Sequence, residues 1–466
     1  MAAAILRSAS VIAVPSAATA AVLRHHPAVV LVAGRLRPRV PSHRIPQLRR
    51  AAAAMTPTVA TSTTHETGEW YAVPGLSLRD HRFEVPLDYS DPNGCSITVF
   101  AREVVAAGKE DTYLPYLLYL QGGPGFESPR PTEACGWIKK ACEDYRLVLL
   151  DQRGTGLSTP LTPSSLAQIS SATEQVEYLK HFRADNIVRD AETIRLRLVP
   201  YAKPWTVLGQ VQQQNEKYYK RYPEDTQVMH DLVRYLNDSE GGGVPLPSGG
   251  RLTPKMLQCL GLSGLGSGGG FERLHYLLER VWDPILVPGA KKTISYYFLK
   301  EFEMWLGFDQ NPLYALLHES IYCQGSSSKW SAEKIRSEYE SLFDPIKATE
   351  EGRPVYFTGE MVFPCMFDEI HALQNLKEAA HLLAAKEDWP PLYDVNVLNN
   401  NKVPVAAAVY YEDMYVNFNI AKETASQIAG IRLWVTNEYM HSGLRDSGSH
   451  VFEHLMGLLN GKRPLF

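Results

Sequence analysis

Apolar and polar positions along this chain fall into two kinds of pattern. Residues 116–120 (YLLYL) and 147–150 (LVLL) are short continuous apolar runs, each ending abruptly in a polar, glycine-rich turn. Such runs predict parallel strands buried on both faces, which show no alternation because neither face meets water. The same pattern returns at 205–208 (WTVL), 403–411 (VPVAAAVYY) and 431–435 (IRLWV). Residues 78–85 and 96–102, on either side of Asp91-Pro-Asn-Gly94, predict a hairpin. Residues 161–200 and 212–398 follow a helical period instead, as in FERLHYLLERVWDP and YYFLKEFEMWLGFD. Within 183–198 the charges make a solvated face, with Ile187, Ile194 and Leu198 turned inward. The pattern therefore predicts an α/β fold: strands in the first and last parts, and a mostly helical insertion between them. Ligands of open α/β sheets collect beyond the carboxyl ends of the strands.

Those ends carry Gln121-Gly-Gly-Pro-Gly125 and Asp151-Gln-Arg-Gly154. Adjacent glycines let backbone N–H groups approach a reacting carbonyl, and Pro124 stiffens the turn that aims them. Preorganised donors of this kind form an oxyanion hole, here from Gly122 and Gly123. The two motifs at this spacing resemble the HGGPG and DQRG(x)GxS signatures of the proline iminopeptidase family, with Gln121 where the family often has His. The resemblance runs over nearly everything after residue 66. It implies an α/β-hydrolase core at 66–210 and 399–466, with a mostly helical cap at 211–398. It also implies a serine aminopeptidase that releases N-terminal proline from peptides through an acyl-enzyme, with no metal or organic cofactor.

In such hydrolases the triad acid and histidine follow successive late strands. The resemblance places Asp413 as the acid, with Glu412 its rival, and His441 as the base. It also implies cap carboxylates that hold the free α-amine of the substrate, for which Glu272 and Glu360 are the candidates. Tyr356, Phe357 and Phe363 are candidates to enclose a pyrrolidine ring.

The nucleophile is missing. The strand at 205–208 should feed a G-x-S-x-G elbow, yet Gly209-Gln210 runs directly into Val211-Gln-Gln-Gln-Asn-Glu. The elbow, its helix and the next strand are all absent, which reads as an internal deletion of at least a βαβ-sized piece, about 30 residues or more. The missing strand would lie between those at 205–208 and 403–411, so the sheet must close up there or leave a gap. Gly261-Leu-Ser263-Gly264-Leu lacks the glycine an elbow needs two residues past the serine. Residues 264–269 (GLGSGG) satisfy G-x-G-x-x-G, but no strand precedes them, so both read as flexible loop. Three functions stay open: a serine aminopeptidase family member in defective form, a non-catalytic peptide-binding protein, or a related esterase or amidase.

Charge and composition narrow the setting. Residues 1–65 hold eight Arg but no Lys, Asp or Glu. An Arg-rich, acid-free segment predicts a removable transit peptide, hence a chloroplast protein, with Met55 as an internal start for a cytoplasmic form. Subtracting those arginines takes the formal charge from −4 to −12, which argues against a nucleic-acid partner. The apolar run at 28–34 is too short to span a bilayer, so no membrane partner is expected. The six cysteines include no C-x-x-C pair, so no zinc site is indicated.

Overall fold

A computed structural model describes residues 10–13, 29–32, 65–122, 124–198, 211–416 and 418–462. The expected strand at 205–208, the turn at Gly209-Gln210 and Gly123 lie outside the described residues, as does the side chain of Leu198.

Ten strands form one sheet: β1 (Ser10–Ala13), β2 (Val29–Val32), β3 (His65–Thr67), β4 (Tyr71–Val73), β5 (Leu76–Pro86), β6 (Ser96–Ala106), β7 (Tyr116–Leu120), β8 (Arg146–Leu150), β9 (Val405–Tyr410) and β10 (Ile431–Thr436). Their order is β10-β9-β1-β2-β7-β8-β6-β5-β3, with β4 also on β5. The expected hairpin is the β5–β6 pair, in register from Leu76 opposite Ala106 to Pro86 opposite Ser96. The continuous apolar runs form the parallel pairs β7–β8 and β9–β10, and every residue of β8 and β9 is buried.

The sheet is continuous from β7 to β9 because two four-residue strands from the N-terminal segment stand between them. Strand β2 runs antiparallel to β7, with Val29 opposite Leu120. Strand β1 runs parallel to β2 and antiparallel to β9, with Ser10 opposite Ala408. The ladder groups of β7 and β9 thus find partners, as buried backbone groups require, in a segment whose composition reads as a leader.

Helices cover both faces. On one, α1 (Gly136–Asp144) and a C-terminal helix (Gly448–Leu459) pack Trp137, Ile138, Val451 and Phe452 against Leu147, Leu149, Ala406 and Ala408. On the other lie α2 (Ala184–Leu198), with Ile187 and Ile194 buried, and the cap. Cap helices α3 (Gln212–Arg221), α4 (Asp225–Asp238), α5 (Gly270–Leu278) and α6 (Tyr296–Leu306) bury one face each, and α7 (Pro312–Leu317) is buried throughout. None of the helices among the described residues is long and apolar enough to cross a membrane.

Candidate active site

A cavity of about 990 Å³ lies beyond the carboxyl ends of β7 and β8, under the cap. Its floor is built by the two glycine-rich turns. After β7, the Tyr119 hydroxyl donates to Gln121 Oε1 (2.7 Å), and Gln152 Nε2 donates to the Gln121 carbonyl (2.8 Å). That second bond fixes the peptide plane whose other end is the Gly122 N–H, and Gly122 lines the cavity. Gly125 has φ +127°, and a Cβ there would lie 2.7 Å from Tyr314 Cβ, so this turn meets α7 only as glycine.

The Asp151–Ser158 motif is a brace. Asp151, fully buried, accepts from the backbone N–H of Ser128 and of Leu157 (both 2.9 Å) and from both terminal nitrogens of Arg130. Any side chain at Gly156 would collide with the Asp151 carboxylate. Arg153, also fully buried, forms a fork on Asp190 of α2 with two 2.6 Å bonds, and spends its remaining donors on carbonyls including those of Leu87 and His181. The Ser158 hydroxyl donates to the Asp151 carbonyl and accepts from the Phe100 N–H of β6. Bidentate, charge-assisted bonds of this sort set geometry as well as contributing energy. The motif holds the loops that shape the cavity.

Asp413 follows β9 and His441 follows β10, and the structure brings them together. His441 Nδ1 lies 3.2 and 3.1 Å from the two Asp413 oxygens, and Asp413 is 2% exposed. Asp413 Oδ1 also accepts from the N–H groups of Tyr415 (2.8 Å) and Val416 (3.2 Å), which orients the carboxylate. Nδ1 is turned to the acid, and His441 lines the cavity. Glu412 points elsewhere, to Lys217 at 2.7 Å.

The glycine stretch at 261–268 is packed rather than free. The His441 N–H donates to the Gly266 carbonyl, the Gly268 N–H to the Ser442 hydroxyl, and the Tyr415 hydroxyl to the Leu262 carbonyl. The Tyr415 ring stands edge-on to His441 at 4.4 Å, and a Cβ on Gly266 would overlap it. The stretch is a strut behind the histidine. Burial raises the Tyr415 phenol, and the Glu360 and Asp413 charges raise it further. The Ser263 hydroxyl is spent on the Trp305 carbonyl (3.1 Å), and that of Ser128 on the Leu150 carbonyl (2.5 Å).

The two candidate amine-binding carboxylates part company. Glu360 lines the cavity; its Oε1 accepts from the Tyr314 hydroxyl, and its carbonyl is 3.1 Å from His318 Nε2. Glu272 is not brought there: its carboxylate pairs with Arg221 at 2.5 Å, while the next residue, Arg273, faces the cavity. Successive helical positions diverge by about 100°, and α5 presents position 273. Phe357 and Phe363 are fully buried in the core, outside the cavity, and Tyr356 is not in its wall either. Phe126, Trp305, Tyr314 and Tyr415 supply the aromatic lining instead. Phe126 directly follows the Gly-Gly-Pro-Gly turn and Tyr415 stands two residues after Asp413, a proximity that marks both. Nothing local marks Tyr314 or Trp305. Among the described residues no group of three or more His, Cys, Asp or Glu is placed to hold a metal ion.

A mixed sheet with parallel pairs at β7–β8 and β9–β10, an acid and a histidine on the turns after its last two strands, and a helical cap over the cavity define an α/β-hydrolase. No protein-family model matches the chain. It is 41% identical over 433 residues to a proline iminopeptidase from Aeromonas sobria, a match taking in 83% of this chain and 98% of that one. It is 35% identical over 428 residues to the proline iminopeptidase aneH of Aspergillus aculeatus (81% and 92%). A solved esterase from Thermogutta terrifontis aligns at 12% identity over 82% of this chain and 98% of its own, but with a TM-score of 0.27, too low to carry an argument. The chain belongs to the proline iminopeptidase family.

Proposed function

We propose that the cavity binds the amino end of a peptide beginning with proline, and that this chain does not hydrolyse it. The observation that carries the reading is the convergence of the Asp413–His441 pair and Glu360 on one cavity. A partly buried carboxylate favours a cationic partner, and a peptide's free α-amine is one. In a family member with its nucleophile, the base takes the serine proton, the acid holds the imidazole tautomer, and N–H donors such as that of Gly122 face the developing oxyanion.

The absence of turnover rests on the junction at Gln210–Val211, where no G-x-S-x-G follows the apolar run at 205–208. Family membership sharpens it: the Aeromonas match spans 433 positions, about 46 more than the 83% of 466 residues it takes in. Roughly that many positions of the relative therefore lack a counterpart here, enough for an elbow, its helix and a strand. The test is turnover of proline naphthylamide by the purified chain, beside labelling with a serine-directed fluorophosphonate. Neither should exceed the level of the His441→Ala variant. A labelled serine whose loss abolishes turnover would overturn the reading.

A further inference from the structure

Three arginines line the cavity, and they are not equivalent. Arg130 is spent: it binds Asp151 with both terminal nitrogens and reaches Glu127 at 3.1 Å. Arg273 gives one bond, to the Ser263 carbonyl at 3.2 Å, and its guanidinium lies 5.4 Å from the Trp305 ring, itself part of the cavity wall. The carboxylate next to it in sequence, Glu272, belongs to Arg221. Arg445 follows His441 by four residues; its neighbour Asp446 accepts from the Ser442 hydroxyl at 2.7 Å. Neither Arg273 nor Arg445 has a carboxylate partner among the described residues, and both are exposed to the cavity side of the molecule.

We propose that Arg273 and Arg445 form an anion subsite for the C-terminal carboxylate of the bound peptide, so that the ligands taken are short peptides with both ends free. The inference rests on the reading of Glu360 as the amine site. A zwitterionic peptide carries opposite charges at its ends, and the cavity presents Glu360 for one and, for the other, two guanidinium groups with no carboxylate partner among the described residues. The planar guanidinium fork matches a carboxylate in two parallel bonds, which a lysine could not supply. Size agrees: about 990 Å³ is at the upper end for a small-ligand pocket, and each extended residue needs roughly 3.3–3.6 Å.

The experiment is calorimetric titration of the full chain with Pro-Gly-Gly, its C-terminal amide, its N-acetyl form, and Pro-Gly-Glu-amide, in which the carboxylate sits on a side chain. The free acid is expected to bind at least tenfold tighter than its amide. Arg273→Gln with Arg445→Gln, shown to melt like the parent, should abolish that gap and leave the amide's affinity unchanged. Equal binding of acid and amide overturns the subsite while leaving the amine reading in place. If acetylation changes nothing but the acid–amide gap persists, the amine reading falls and the arginine subsite stands. Pro-Gly-Glu-amide binding as tightly as the free acid would overturn the assignment to the terminal carboxylate. No binding by any of the four overturns both.

Discussion

The two halves of the sheet are held by different means. From β5 to β8 the strands are tied by side chains as well as by ladders. Two eleven-residue strands pair along their whole length. The fully buried Glu103 of β6 accepts from Arg79, His81 and Arg146. The Arg153–Asp190 fork pins the following loop to α2. On the far side, β9 and β10 are six residues each, and the inner edge of β9 is covered by four residues from the far N-terminus. One half is secured by its own sequence, the other by a distant segment. Stability is therefore unevenly distributed, and the cavity sits at the seam, with glycine turns from the first half and Asp413 and His441 from the second.

The harshest test of this contrast is a chain that begins at Met55. It loses β1 and β2, and leaves ladder groups of β7 and β9 unpaired at about 1–3 kcal/mol for each one that stays buried. Set against a typical total of about 5–15 kcal/mol, the expected outcome is loss of a sharp thermal transition, read by circular dichroism against the full chain. An unchanged melt would mean that the second half does not depend on the N-terminal strands.

Within the first half, Asp190→Ala strands a buried guanidinium and should cost about 3–5 kcal/mol by urea unfolding. Glu412→Gln breaks an exposed pair with Lys217 and should cost about 0–1 kcal/mol. If the two variants unfold alike, the brace is not what secures this half.

A pH titration separates the first half of the sheet from the cap. Burial by itself would raise Glu103, but the hydrogen bonds from His81, Arg146 and Arg79 outweigh it and hold the carboxyl at about 2, against an ordinary 4.5. A depressed carboxylate contributes stability that is complete above 4.5 and is lost as pH falls from there toward 2. The loss should be a few kcal/mol, at about 1.4 kcal/mol for each pH unit between those two values. Glu103→Gln should flatten this stretch of the unfolding profile.

The effect in the cap has the opposite sign and is smaller than that at Glu103. Burial raises Glu369 to about 7, only partly offset by the hydrogen bond from Thr253. A raised carboxyl costs stability as pH climbs from 4.5 through 7, because the folded state must ionise a buried group. Glu369→Gln should therefore be more stable than the parent at pH 8, by about 1–2 kcal/mol, with no difference at pH 4. A difference that does not change with pH would assign the effect to packing.

The strands at 116–120, 147–150, 403–411 and 431–435 were legible in the sequence because a short apolar run bounded by polar turns has few other ways to bury itself. The hairpin was legible from its Asp-Pro-Asn-Gly turn. The acid and histidine were legible only in combination, from their chain order after two late strands and the resemblance carried by the glycine turns. Other features had to wait for the tertiary structure. Periodicity reports that a residue is buried without saying against what, so Phe357 and Phe363 looked as suited to a ligand as to a core. A helix turns by about 100° per residue, so whether Glu272 or Arg273 meets the cavity depended on how α5 docks. The partner of a strand edge leaves no mark on the strand itself. That is why composition described residues 10–13 and 29–32 as part of a leader, while the structure pairs them with β9 and β7, where backbone N–H and C=O groups would otherwise have had nothing to bond.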